Sequence, residues 1–300
     1  MKSMLIPLRC QLPCLEDNKM PSQKTRTLML ASLVGTALAL FTANLVRAED
    51  DPVFKTKDVI LIHGAWADGS SWSKVIPLLE RRGFHVTAVQ LPLTSVADDV
   101  ATVNRAIELD PGPLLLVGHS YAGIVITEAA NDPKVSGLVY IAAFAPDAGE
   151  SIATLNASVP VTPIAAQLRL NGGFLSITPE GISTDFAQDL SDTEKQTLAA
   201  TQGPIAAVAL GTPATAPAWL TKPSWYMVAS EDRVLSPTLE ATMAQTINAE
   251  TTTVRSSHVI MLSRPDAVAD VIARAARGRD RERARGGAVL PFDQLLRSRY

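Results

Sequence analysis

The stretch LLLVGHSYAGIV, residues 114–125, restricts the fold more than any other part of the chain. Its opening apolar residues do not alternate with polar ones, the pattern of a strand covered on both faces, as in a parallel sheet. Gly118, His119, Ser120 and Tyr121 follow, then Ala122 and Gly123 ahead of a second apolar run. Small residues on both sides of a serine suit a sharp strand-to-helix turn, in which a larger side chain would clash. DVILIHG, residues 58–64, repeats the pattern of an apolar run ending in glycine.

Around these two runs the periodicity alternates. SSWSKVIPLLERRG spaces Trp72, Val75, Ile76 and Leu79 as one helix face, with Gly83 to close it. FHVTAVQLP reads as a strand, and SVADDVATVNRAIEL as a helix capped by Ser95. YAGIVITEAAN is a helix and SGLVYIAAFA a strand. After an interruption come strand SWYMVAS, helix SPTLEATMAQTIN (Ser236 as cap, Pro237 in its first turn), strand ETTTVRS and helix RPDAVADVIARAARG. Strands alternating with helices predict an α/β fold, a mainly parallel central sheet with helices on both faces. The interruption, about residues 146–222, is too long for a loop and reads as an inserted helical cap.

The ends differ in composition from this body. Residues 1–48 read as a leader and signal peptide, with Lys24 and Arg26 before an apolar run and small-residue cleavage after Ala48. That pattern predicts a secreted or periplasmic protein without stable membrane association once the signal is cleaved. Residues 277–300 carry seven arginines against three acids and read as a basic, solvated tail. The body, 49–276, holds 14 Lys and Arg against 25 Asp and Glu, which argues against a nucleic-acid partner. Both cysteines, Cys10 and Cys14, fall in the leader, so the body has neither disulfide nor thiolate. The four histidines, at 63, 85, 119 and 258, show no ligand spacing, and neither metal nor cofactor is expected.

Ser120 is therefore the candidate nucleophile. A serine hydroxyl needs a base, and His258, between the last strand and the last helix, is the histidine placed to reach the turn. The base needs an orienting carboxylate. Asp232 follows an apolar strand 26 residues before His258 and completes the order serine, acid, histidine. Glu231, its neighbour, and Asp147, after the preceding strand, are rivals. The backbone N–H groups of Ala65 and Tyr121 are the candidate oxyanion donors. Trp66 and Phe144 are candidate pocket residues, with Trp72 a third aromatic near the site. His63, His85 and His119 read as structural.

LIHGAWADGSSW, GHSYAG, SEDRVLSP and SHVIMLSRP together resemble the α/β-hydrolase superfamily. More narrowly, they resemble small capped esterases related to plant methyl-salicylate esterases and bacterial pyrethroid-type carboxylesterases. The resemblance covers roughly residues 57–276. Ala122 departs from the usual glycine of the elbow. Gly64 and Val259 depart from the threonine and lysine of the related hydroxynitrile lyases, and Ser120 from the aspartate of dehalogenases and epoxide hydrolases. The resemblance implies cleavage of a small-molecule ester through an acyl-enzyme, and the cap, with few charges after Glu150 and several Leu, Ile and Ala residues, suggests a small apolar acyl or alcohol group. Amide or lactone hydrolysis, perhydrolysis and ligand binding without turnover use the same fold and stay open at this point, as does the oligomeric state.

Overall fold

A computed structural model describes residues 55–278. The leader, both cysteines and all but the first two residues of the basic tail lie outside them. Strands and helices alternate in the order β1 (Asp58–Ile62), α1 (Ile76–Glu80), β2 (His85–Val89), α2 (Val96–Leu109), β3 (Leu114–His119), α3 (Ala122–Ala129) and β4 (Val135–Ile141). The chain continues through α4 (Ile152–Ala157), β5 (Leu168–Asn171), β6 (Phe174–Ile177), α5 (Asp192–Thr201), β7 (Ile205–Ala206) and α6 (Ala207–Gly211). It then makes β8 (Ser224–Ala229), α7 (Pro237–Thr246), β9 (Glu250–Val254) and α8 (Pro265–Arg277).

Six strands form one parallel sheet in the order β2-β1-β3-β4-β8-β9. β3 lies at its centre and is buried at every position, which accounts for its unbroken apolar run. The chain steps from β1 out to β2 and returns past β1 to β3. Such a reversal leaves a crevice at the strands' carboxyl ends, where ligands of open α/β sheets bind. β1 and β3 are paired there, with Ile62 opposite Gly118, so the segments leaving both strands emerge side by side.

Most of the expected elements form, with some differences. The helix expected over residues 70–83 is broken into a 3₁₀ turn, Gly69–Trp72, and the short α1. Pro77 explains this: it lacks an N–H and its ring opposes a carbonyl in the preceding turn. Gly83 closes α1 with φ +82° and an N–H bond to the Glu80 carbonyl. The strand expected to reach Ala145 stops at Ile141, because Ala142 adopts φ +43°. Ser236 occupies the N-cap of α7 without its side chain accepting a bond, whereas Ser95 accepts from the Asp98 N–H at 3.1 Å.

The segment between β4 and β8 is not helical throughout. Besides α4, α5 and α6 it holds a three-stranded antiparallel sheet, β5-β6-β7. Gly172 and Gly173, both at positive φ, make the β5–β6 turn. Among the described residues no helix is long and apolar enough to cross a membrane.

Candidate active site

Ser120 stands at the turn between β3 and α3 with φ +54°. A non-glycine residue held there stores strain of about 1–3 kcal/mol, which the surroundings must impose. Its N–H donates to the Ile141 carbonyl at 3.2 Å, and its own carbonyl accepts from Gly123 at 3.0 Å and Phe144 at 3.1 Å. The turn needs its small neighbours. A Cβ on Gly64 would sit 2.8 Å from the Ser120 Cβ, and one on Gly118 2.9 Å from the Ala122 carbonyl oxygen.

His258 and Asp232 meet in a buried pair. His258 Nδ1 donates to Asp232 Oδ2 at 2.5 Å, and both side chains are sealed from solvent. Asp232 Oδ1 accepts the N–H groups of Val234 at 2.7 Å and Leu235 at 3.0 Å. Three donors thus engage both oxygens of the carboxylate. The second ring nitrogen, His258 Nε2, is buried without a hydrogen bond. Nδ1–H on the acid therefore leaves Nε2 as a free acceptor. The ring lies 4.7 Å from that of His119, the residue before Ser120, and 5.4 Å from Phe186. Ser120 and His258 are not hydrogen-bonded to each other, a contact that in such sites tightens as substrate arrives.

Neither rival carboxylate joins this pair, and the other histidines make contacts of their own. Glu231 faces outward and pairs with Arg255 at 2.7 Å. Asp147 is exposed, its carboxylate capping the Ala148 N–H. His119 donates from Nε2 to the His258 carbonyl at 3.0 Å. Burial, then the neighbouring His258, hold its pKa well below the usual histidine range, so it stays neutral. His63 bridges the Gly64 carbonyl and the Leu91 N–H, and burial lowers its pKa too. His85 is a surface residue bonded to Asp58.

A cavity of about 160 Å³ opens onto Ser120. Ala65, Trp66, Tyr121 and Phe144 line it, and most of the remaining wall is apolar side chains of residues 152–168. No charged residue takes part. Trp72 does not reach it and is wholly buried in the core. Ala65 and Tyr121, whose N–H groups are the candidate oxyanion donors, line the same cavity as Ser120. Among the described residues no cluster of His, Cys, Asp or Glu has the make-up of a metal site.

Several contacts at the site have no counterpart in the sequence pattern. Glu240 on α7 is fully buried and accepts the Ala229 N–H at 3.1 Å. Burial, reinforced by the Asp232 charge, raises its carboxyl well above the usual range and keeps it neutral. Asp189 accepts the Ser257 N–H at 3.0 Å, and the Gln188 amide donates to the Glu231 carbonyl at 2.7 Å. Arg233 donates to the Thr184 carbonyl at 2.9 Å, and the Thr162 hydroxyl to that of Val234 at 2.9 Å. The cap is thus bonded to the loops carrying both Asp232 and His258. Only the acidic and hydroxylic composition of residues 184–192 hinted at such anchors.

A strained serine after a central parallel strand, an acid and a histidine on later loops, and a cap over them describe one superfamily. The sequence matches the alpha/beta hydrolase family over residues 59–271. The chain belongs to this family. An α/β hydrolase of Aspergillus novofumigatus is 27% identical over 73% of this chain and 96% of its own length. A carbendazim-hydrolysing esterase of a Nocardioides species is 33% identical, over 38% of this chain. The chain spans only about half of that esterase, 52%. Among solved structures, a pyrethroid hydrolase from Sphingobium faniae superimposes with a TM-score of 0.65 at 25% identity. That superposition covers 74% of this chain and 98% of the hydrolase.

Proposed function

We propose that this α/β hydrolase is a serine esterase that cleaves small, uncharged carboxylic esters through an acyl-enzyme. The observation that carries the reading is the state of His258: Nδ1 is committed to Asp232, and Nε2 is buried and free next to the serine turn. Esterases among its relatives support the same chemistry.

In the first step His258 Nε2 takes the proton of the Ser120 hydroxyl as Oγ attacks the ester carbonyl carbon. Negative charge collects on the former carbonyl oxygen, where the Ala65 and Tyr121 N–H groups stabilise it. Asp232 stays ionised and stabilises the imidazolium without taking its proton. Collapse of the intermediate breaks the bond to the alkoxide, which leaves with the proton from Nε2. Water, deprotonated by the same nitrogen, then attacks the acyl-enzyme and releases the acid and free Ser120. No cofactor enters the cycle. The uncharged apolar cavity favours an ester with a small apolar acyl or alcohol group. Residues 1–48 are proposed to direct export, for which an exported protein beginning near Glu49 is the test.

Turnover of p-nitrophenyl acetate and butyrate, with Ser120→Ala beside the native protein, tests the chemistry. The expected result is hydrolysis that falls by about 10³-fold or more in the variant. Equal rates in the two proteins overturn it.

A further inference from the structure

The two N–H groups assigned to the oxyanion belong to different loops, yet both loops are tied to one small element of the cap. Ala65 precedes Trp66, which sits at φ +58° and sends its indole N–H to the Leu175 carbonyl on β6 at 2.9 Å. Tyr121 sends its hydroxyl to Asp99 Oδ2 at 2.6 Å. Asp99 Oδ1 accepts the Leu93 N–H at 2.9 Å, and the Leu93 carbonyl accepts the Ala206 N–H on β7 at 2.9 Å. β6 and β7 are paired, with Leu175 opposite Ile205 and Phe174 opposite Ala206. Two hydrogen-bonded threads therefore leave the two donors and end on adjacent rungs of one sheet.

These links are interior ones. Asp99 is fully buried, and Tyr121, Leu93 and Trp66 are buried with it. Burial raises the Asp99 carboxyl, and the bonds from Tyr121 and Leu93 oppose that rise. A buried carboxyl is tolerated when both oxygens are engaged, as they are here. The sheet itself is a thin outer layer, with Leu170 exposed and Phe174 partly so. Its β5 residue Leu168 lines the cavity. Each thread begins on, or directly beside, a donor residue, and nothing in the packing of the cap alone requires that coincidence.

We propose that the β5–β7 sheet braces the oxyanion hole, with Asp99 and Trp66 as positioning residues that fix the spacing of the Tyr121 and Ala65 amides. This rests on the serine-esterase reading. Removing one thread loosens one donor, and the loss of a whole donor, about 10²–10³ in kcat, is the ceiling of the effect. Because both threads end on the same sheet, breaking the second adds less than breaking the first. Independent sites would instead give additive losses.

The test compares Trp66→Phe, Tyr121→Phe and the double variant with the native protein. Three quantities are read: kcat and KM for p-nitrophenyl butyrate, affinity for an alkyl trifluoromethyl ketone, and affinity for the matching methyl ketone. The trifluoromethyl ketone forms a hemiketal through addition of Ser120 Oγ, so its oxygen becomes an alkoxide in the hole. The methyl ketone reports on cavity binding alone. Each single variant is expected to lose about 10-fold in kcat and in trifluoromethyl ketone affinity, and clearly less in KM and methyl ketone affinity, which report the change each side chain makes to the cavity wall it lines. The double variant is expected to lose clearly less than the product of the single losses. Variants that keep kcat and ketone affinity within about twofold while Tm falls would overturn the brace and leave a structural staple. Strictly multiplicative losses overturn it as well. Trp66→Phe decides alone if Tyr121→Phe does not fold. A native protein that neither hydrolyses the ester nor binds the trifluoromethyl ketone overturns the esterase reading and the brace together. A competent native protein with competent variants overturns the brace only.

Discussion

Gly123→Ala sets two physical effects against each other at the nucleophile turn. Gly123 is the second residue of α3, and alanine in a helix is favoured over glycine by about 1 kcal/mol. Propensity alone therefore predicts a more stable protein. The Cβ, however, would lie 1.9 Å from the Phe144 carbonyl oxygen and 2.8 Å from that residue's carbonyl carbon and nitrogen. These are backbone atoms, so no side chain can swing away. Restoring ordinary contact requires α3 and the Phe144 segment to part by roughly 1.5 Å in an interior packed to crystal density. Phe144 also donates its N–H to the Ser120 carbonyl at 3.1 Å, so its retreat pulls on the residue that carries the nucleophile. Overpacking of this kind costs about 1–3 kcal/mol, and a weakened hydrogen bond about 1 kcal/mol more. The expected net loss is about 2 kcal/mol, or a Tm lower by about 4–8 °C for a domain of this size. Displacing the serine by about 1 Å lowers kcat by about 100-fold. Thermal unfolding by circular dichroism and turnover of p-nitrophenyl butyrate measure the two effects. A Tm equal to or above that of the native protein, with kcat within twofold, would refute the reasoning.

Asp232→Asn is expected to lower kcat by about 10⁴-fold, because the amide can hold His258 in the wrong tautomer. Glu231→Gln, which disturbs only the surface pair with Arg255, should leave kcat within about twofold; equal losses in steady-state assays would remove Asp232 from its assigned role. Glu240→Gln tests the buried carboxyl through stability. Glu240 is neutral in the fold and ionises on unfolding above its ordinary 4.5, so the native protein loses stability as pH rises from there toward the raised folded value. The loss is up to about 1.4 kcal/mol per pH unit. Gln is neutral in both states, so the Tm of the variant relative to the native protein should climb as pH rises above about 4.5; a constant difference would show that Glu240 ionises freely in the fold.

The parts of the fold that could be read from the sequence are those where a single physical demand acts on consecutive residues. β1 and β3 are covered on both faces, so Val59–Ile62 and Leu114–Val117 are unbroken apolar runs, and Gly64 and Gly118 mark where they end. Ser95 caps α2 through a bond three residues away, which a sequence shows directly. That Asp232 and His258 meet was legible because chain order fixes where each loop meets the sheet edge. The β5–β7 sheet was less so. LRLN and FLSI are short and largely exposed, so neither alternates cleanly, and only the Asn171-Gly172-Gly173 turn pointed to a hairpin. Trp66 read as a pocket residue, and it does line the cavity, but its bond to Leu175 spans 109 positions. Asp99 sits beside Asp98 in the first turn of α2, where acids are common. Its contact with Tyr121 depends on how α2 and α3 pack, and no local periodicity encodes that.

The anchors that join Asp189 to Ser257, Gln188 to Glu231 and Thr162 to Val234 have a consequence for how such a protein diversifies. They make residues 142–223 a poor unit of exchange. A cap transplanted from a relative would arrive with its own anchors, and the loops bearing acid and histidine would lose theirs. Change is more accessible by single replacements on the cavity wall, at positions such as Leu168 or Leu210, which line the cavity beside Ser120. In a lineage of this enzyme, the wall would drift while the anchors and the elbow stayed fixed.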